Sequence, residues 1–206
     1  PHLRVDVQKI GCDYLAFSGH KMLGPTGVGV LYARNELLEN MEPLSIGGGT
    51  IEDVGLDYYK LAKSPTKFEA GTPPIAEAIG LGAAADYLKD VQLENIEAYE
   101  RELAKRMYRG LVDVPSVEAY GPEKPEQRTG IVSFNLGDLN PHDVALALDV
   151  SADMMVRSGH HCCHPLTKVL LRQREGTVRA SVYLYNTKEE VEKLISTVDE
   201  IARSLA

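Results

Sequence analysis

Two short stretches gather the side chains that can make or break bonds. The first, Ser18-Gly19-His20-Lys21, places a hydroxyl, an imidazole and an amine within four residues. The second, Arg157-Ser158-Gly159-His160-His161-Cys162-Cys163-His164, is the densest run of reactive side chains in the chain. An amine held between two buried strands loses solvation, which favours its neutral, nucleophilic form and its condensation with an aldehyde. Lys21 is the candidate for that amine, with a solvated surface lysine as the alternative reading. A phosphate loop is excluded, because in that motif the lysine closes the glycine run and Ser or Thr follows it. Here Lys21 precedes Gly24, Gly27 and Gly29, and Met22 follows it.

In the second stretch a thiol lies beside imidazoles on an exposed loop, surroundings that raise the thiolate fraction, and thiolate is the reactive species. Cys162 is the candidate nucleophile, and one of Cys162 and Cys163 is expected to be buried as a small apolar residue. Cys12 is expected to be a buried cysteine without chemistry. Zinc is disfavoured: structural zinc takes separated ligand pairs that converge on one tetrahedral point, and five contiguous donors cannot all face one ion. Arg179 stands on an otherwise apolar strand, where an inward guanidinium needs an anionic partner. Either a substrate carboxylate or a structural Asp or Glu satisfies that need.

Around the first stretch, apolar runs from Tyr14 to Phe17 and from Val28 to Tyr32 read as two strands joined by the polar loop. A short helical patch (34–41) and a glycine run (47–49) follow, and residues 51–67 read as an irregular surface excursion or an active-site flap. Thr72 suits a helix N-cap and Pro73 the first turn of a helix reaching about Leu88, whose start can bind an anion. A second helix is expected from Glu94 to Val112, with Ile96, Tyr99, Leu103, Met107 and Leu111 on its apolar face. Strands follow at Val117–Tyr120, Ile131–Leu136, Met154–Arg157 and Val178–Tyr183, with a helix from Asn140-Pro141 to Leu148. Thr187 and Glu190 form a capping box that opens the last helix. Strands interleaved with helices predict an α/β fold: the end of a larger sheet in residues 1–94, then a small domain over 95–206 with its sheet covered by helices. The two early strands are expected to lack partners, as the edge of a sheet whose remainder is absent.

Composition narrows the function classes. With 206 residues, 44% hydrophobic and 25% charged, the chain reads as an ordinary globular protein. A net charge of -8 argues against a nucleic-acid phosphate tracker. No apolar run is long enough to span a bilayer, and three cysteines, two of them adjacent, make no disulfide framework. A reducing, cytoplasmic setting is the expectation.

Taken in order, Ser-Gly-His-Lys with Gly-Pro-Thr-Gly, Phe-Glu-Ala-Gly-Thr-Pro, Arg-Ser-Gly-His-His-Cys, Arg-Ala-Ser and Tyr-Asn-Thr resemble a known family. The chain looks like the C-terminal half of a cysteine desulfurase of the SUF type, a class V aminotransferase of the pyridoxal phosphate fold type I. The resemblance implies that Lys21 holds pyridoxal phosphate and later moves protons, that Ser18 and His20 contact its phosphate, and that Thr72 reaches the phosphate of a neighbouring subunit in a homodimer. It further implies that Arg179, supported by Arg157, grips the carboxylate of L-cysteine. Cys162 would then take the sulfur as a persulfide, leaving alanine, for delivery to a sulfur acceptor or SUF scaffold in iron–sulfur cluster assembly. No metal is implied at the site. A selenocysteine lyase is the neighbouring alternative within the family, and a non-catalytic Cys/His-loop domain that accepts sulfur or metal is the alternative outside it. Cys163 stands where relatives carry a small residue, so a second thiol there can relay the persulfide or trap it as a disulfide. The family's N-terminal half supplies the groups that hold the pyridine ring, so a fragment of this kind is expected to be inactive alone.

Overall fold

The computed structural model describes residues 1–205. The chain divides into two compact units, one comprising Pro1 and Leu3–Leu93, the other His2 and the chain from Glu94 onward.

In the first unit, a one-turn helix α1 (Val7–Ile10) is capped by Asp6, whose carboxylate accepts from the backbone N–H groups of Gln8 and Lys9. Strands β1 (Tyr14–Ser18) and β2 (Gly29–Ala33) pair antiparallel, Ser18 opposite Gly29 and Tyr14 opposite Ala33. Among the described residues they pair only with each other, as a two-stranded ribbon. The ribbon is not buried: Phe17, Val30 and Leu31 are exposed. The rigid, desolvating walls expected around Lys21 are therefore not formed by this chain. After α2 (Asn35–Asn40), the excursion expected over 51–67 proves to contain a hairpin, β3 (Ile51–Val54) with β4 (Tyr59–Leu61). Its polar composition, with Lys60 3.0 Å from Glu52 and the Tyr58 hydroxyl donating to Asp53 at 2.9 Å, hides strands whose pairing is a backbone ladder.

Helix α3 (Ile75–Val91) begins later than the Thr72-Pro73 pattern predicts. Its N-cap is Pro74, and no side chain caps it. Thr72 lies in an exposed bend before it. The proline pair carries the extended chain past Thr72, because proline disfavours helical backbone in the residue before it.

The second unit holds the core. Its sheet runs in the order β5-β6-β8-β7, with β5 (Val117–Tyr120), β6 (Ile131–Leu136), β7 (Arg157–Gly159) and β8 (Thr177–Ser181), every pair antiparallel. Val132, Phe134 and Leu136 alternate along β6 and are fully buried, as a strand with one face to the core requires. They pack with Leu103, Met107 and Leu111 of α4 (Leu93–Val112), Val144 and Leu148 of α5 (Pro141–Ala152) and Val191 and Val198 of α6 (Lys188–Leu205). The strand expected over Met154–Arg157 instead begins at Arg157, and α5 extends four residues past Leu148.

The capping box of α6 forms as its sequence predicts: the Glu190 N–H donates to Thr187 Oγ1 at 3.2 Å and the Thr187 N–H to Glu190 Oε2 at 2.9 Å. One acid on the buried side of α4 breaks the apolar pattern. Glu100 is only 2% exposed and meets His2 Nδ1 at 2.9 Å. Burial pushes its carboxyl above the usual range, against the opposing pull of His2.

Phe134 touches the sheet-facing residues of this core with no exposed surface. Phe134→Ala is expected to lower the stability of the second unit by about 3–5 kcal/mol, measured from urea unfolding.

Candidate functional site

The Lys21 loop is a single 3₁₀ turn, Gly19–Met22, between β1 and β2. Its backbone is closed by the Gly19 N–H to the Val28 carbonyl at 2.9 Å and the Gly24 N–H to the Gly19 carbonyl at 3.1 Å. Both glycines are needed for that approach. A Cβ on Gly19 would lie 2.8 Å from Val28 Cγ1, and one on Gly24 would lie 2.9 Å from the Gly19 oxygen. The turn projects Lys21 outward, where Nζ donates to Ser18 Oγ at 3.3 Å, and His20 is exposed beside it. Ser18, His20 and Lys21 are thus gathered on one turn. A hydroxyl and an imidazole beside an accessible amine fit a ligand that carries a phosphate and an aldehyde.

The second stretch is built on β7 and the loop that leaves it. Gly159 (φ 102°) and Gly176 (φ 85°) meet where β7 enters this loop, and a Cβ on Gly176 would lie 2.2 Å from the Gly159 carbonyl carbon. No other residue type fits there. The four residues His160–Cys163 form a turn closed by the Cys163 N–H to the His160 carbonyl at 2.8 Å. Its central residues His161 (φ 53°) and Cys162 (φ 63°) are both left-handed. Such turns ordinarily recruit Asn and Gly, and the left-handed backbone costs roughly 1–2 kcal/mol at a residue bearing a Cβ. Surrounding bonds hold it. His161 Nε2 lies 3.1 Å from the Thr177 carbonyl, and since a carbonyl only accepts, Nε2 carries the proton. His160 Nδ1 bonds Thr167 Oγ1 at 2.8 Å. Thr167 belongs to a π-helical segment, Pro165–Leu170.

Cys162 and Cys163 are both exposed, so neither is the buried member expected of the pair, and Cys12 is half-buried rather than buried. The turn and the short helical segment hold the adjacent thiols at the surface. The Arg157 guanidinium donates to Cys162 Sγ at 3.2 Å. A cation in that position favours thiolate over thiol.

Arg157 stands directly opposite Arg179 in the β7–β8 register. Like charges in that relation destabilise a sheet. Among the described residues no carboxylate compensates them, and Arg179 Nε is buried without a hydrogen-bond partner. Burial, and after it the charge of Arg157, holds the Arg179 guanidinium below its ordinary value. The structural Asp or Glu allowed by the sequence is absent among the described residues.

Sequence reasoning passed over His142, whose Nδ1 bonds Ser158 Oγ at 2.8 Å, and Thr177, which anchors His161. The pairings cross 16 residues in each case and have no local signal. No cluster of three or more His, Cys, Asp or Glu able to hold a metal occurs among the described residues. No helix among them is long and apolar enough to cross a membrane.

Burial, followed by the charge of Arg179, lowers the pKa of His161 from its ordinary value. Between the two values the unfolded chain binds a proton that the folded chain does not. The stability linked to His161 is therefore complete above the unfolded value of about 6.5 and is lost as pH falls toward and through the folded one. His161→Gln is expected to flatten this part of the acid limb in urea midpoints taken across a pH series. Gly176→Ala is expected to cost on the order of 3 kcal/mol and to separate β7 from β8, measured by unfolding and by amide exchange at Gly159.

Residues 1–194 match the model of the class V aminotransferase family. The chain is 50% identical to a probable cysteine desulfurase of Halalkalibacterium halodurans, over 97% of this chain and 48% of that one. It is also 50% identical to a probable cysteine desulfurase of Pyrococcus abyssi, over 99% and 50%. Among solved structures, the apo cysteine desulfurase of Thermococcus onnurineus NA1 matches with a TM-score of 0.94 at 50% identity, covering 99% of this chain and 50% of that one. A cysteine desulfurase of Escherichia coli matches with a TM-score of 0.91 at 36% identity, covering 100% and 50%. The chain therefore spans about half the length of the relatives it matches. With the family model covering nearly all of it, the chain belongs to the class V aminotransferases.

Proposed function

We propose that this chain carries the lysine loop and the sulfur-accepting cysteine of a cysteine desulfurase of the SUF type. The observation that carries the reading is the Arg157 guanidinium on Cys162 Sγ, with Arg179 opposite and, among the described residues, no carboxylate paired with either. An amino acid that brings a carboxylate and a sulfur satisfies both features. Arg179 takes the carboxylate through its planar fork, Arg157 adds charge, and Cys162 is the thiolate that meets the sulfur. The substrate's carbon–sulfur bond breaks as the new sulfur–sulfur bond to Cys162 forms, leaving alanine and a persulfide.

Pyridoxal phosphate fits the first stretch. Lys21 would hold it, Ser18 and His20 would contact its phosphate, and Thr72, exposed in its bend, would reach the phosphate of a second copy in a homodimer. When bound, the cofactor supplies an electron sink at the substrate's α-carbon. The Lys21 amine would move protons to and from that carbon. Residues 1–94 correspond on this reading to the C-terminal part of the large cofactor-binding domain and 95–206 to the small domain. L-cysteine is the substrate, and a sulfur acceptor or SUF scaffold in the cytoplasm takes the persulfide for iron–sulfur cluster assembly.

The first test is visible absorption of the purified chain with added pyridoxal phosphate, alone and with the complementary half of a relative. A lysine adduct band in the original that Lys21→Ala lacks supports the assignment, and a band that survives in Lys21→Ala overturns it. In the reconstituted protein, Cys162→Ser is expected to lower alanine release from cysteine by at least about a hundredfold, with the absorption band retained.

A further inference from the structure

Cys163 has no role in that scheme, yet it is a second exposed thiol on the residue after the nucleophile. We propose that Cys163 discharges the Cys162 persulfide when no acceptor is present, closing a disulfide between the adjacent cysteines and releasing sulfide. The physiological setting rests on the desulfurase reading, whereas the thiol chemistry does not.

The backbone keeps the two thiols together. On one side, the turn His160–Cys163 is closed by the Cys163 N–H. On the other, the Cys163 carbonyl accepts from the Thr167 N–H at 3.2 Å and from Thr167 Oγ1 at 3.3 Å. Thr167 is itself tied to His160. The Cys163 main chain is thus held on both sides, one peptide from Cys162, so the side chains decide the encounter. Intramolecular capture of this kind has an effective concentration that a dilute acceptor does not match.

The step balances without an outside oxidant. The Cys163 thiolate attacks the inner sulfur of the Cys162 persulfide, forming the bond between the two Sγ atoms. The bond from the inner to the outer sulfur breaks, and the outer sulfur leaves with the electron pair as HS⁻. The Cys163 thiol is oxidised, the sulfane sulfur is reduced, and the thiol proton passes to solvent. A trans peptide sets adjacent Cα atoms about 3.8 Å apart, shorter than the 4.4–6.8 Å that disulfides usually span. The ring is strained, and a small-molecule thiol reopens it readily. The product is a temporary off state that stops sulfur from accumulating on the enzyme.

The test needs neither cysteine turnover nor Lys21. The reduced full chain, carrying Cys12→Ser so that only two thiols remain, is given one equivalent of inorganic polysulfide and then freed of excess donor. Sulfide release is followed, and the tryptic peptide Ser158–Lys168, which contains both cysteines, is weighed after alkylation. The expected result is release of sulfide and a peptide lighter by two hydrogens that takes no alkyl group until it is reduced. Cys163→Ser and Cys163→Ala should instead keep a peptide one sulfur heavier and release sulfide on the order of tenfold more slowly. Equal persulfide lifetimes in the original and both variants would overturn the proposal, as would a disulfide that joins separate chains. Either result would leave the desulfurase assignment untouched, and the failure of that assignment in its own assay would leave this one readable.

Discussion

The passage of Gly176 against Gly159 is the constraint on which the second stretch depends. With the two backbones closer than any side chain allows, β7 can lie beside β8, and only then does Arg157 face Arg179. The same contact fixes where the chain leaves β7, and so where the turn bearing Cys162 begins. The cost of the arrangement is visible in two places: a like-charged pair across the strands and a left-handed backbone at two residues with side chains. Strain of that kind persists where the surrounding structure over-determines it. Here the core does so, through Val178 and Ala180 of β8, both buried between the arginine positions and the helices.

The two stretches differ in how completely the chain builds them. Around Cys162 the cation, the anchored imidazoles and the Arg179 guanidinium, whose Nε has no partner among the described residues, are all supplied by one unit with a closed core. Around Lys21 the chain supplies the turn and its donors but not an enclosure, since the flanking ribbon is exposed. That contrast agrees with a chain spanning about half the length of its relatives.

What was legible in the sequence was whatever rests on local periodicity or local capping. The alternation of Val132, Phe134 and Leu136, the spacing of Leu103, Met107 and Leu111, and the Thr187–Glu190 box each carry their structural meaning within a few residues. The order of the reactive motifs was also readable, and the family match bears out the class they suggested. Features settled by distant contacts were not readable. Two local features were also misread: the proline pair moves the start of α3, and the β3–β4 hairpin has a charged and phenolic composition that looks like a loop. Tyr99, read as part of the apolar face of α4, reaches across to donate its hydroxyl to the Asn186 carbonyl at 2.7 Å. Glu100 beside it is buried through a bond to His2, 98 residues away, which no window along the chain can reveal.

The exposed β1–β2 ribbon has a consequence for the order in which the molecule becomes rigid. A two-stranded ribbon is at best marginally stable in water, while the four-stranded sheet is sealed by three helices. The amide protons of β6 and β8 should therefore be among the last to exchange with solvent, and those of β1 and β2 among the first, by local opening that leaves the rest intact. The lysine turn is stitched to the end of that ribbon by the Gly19–Val28 bond. Its shape is consequently the part of the fold that a covering surface, rather than the chain's own core, must finish.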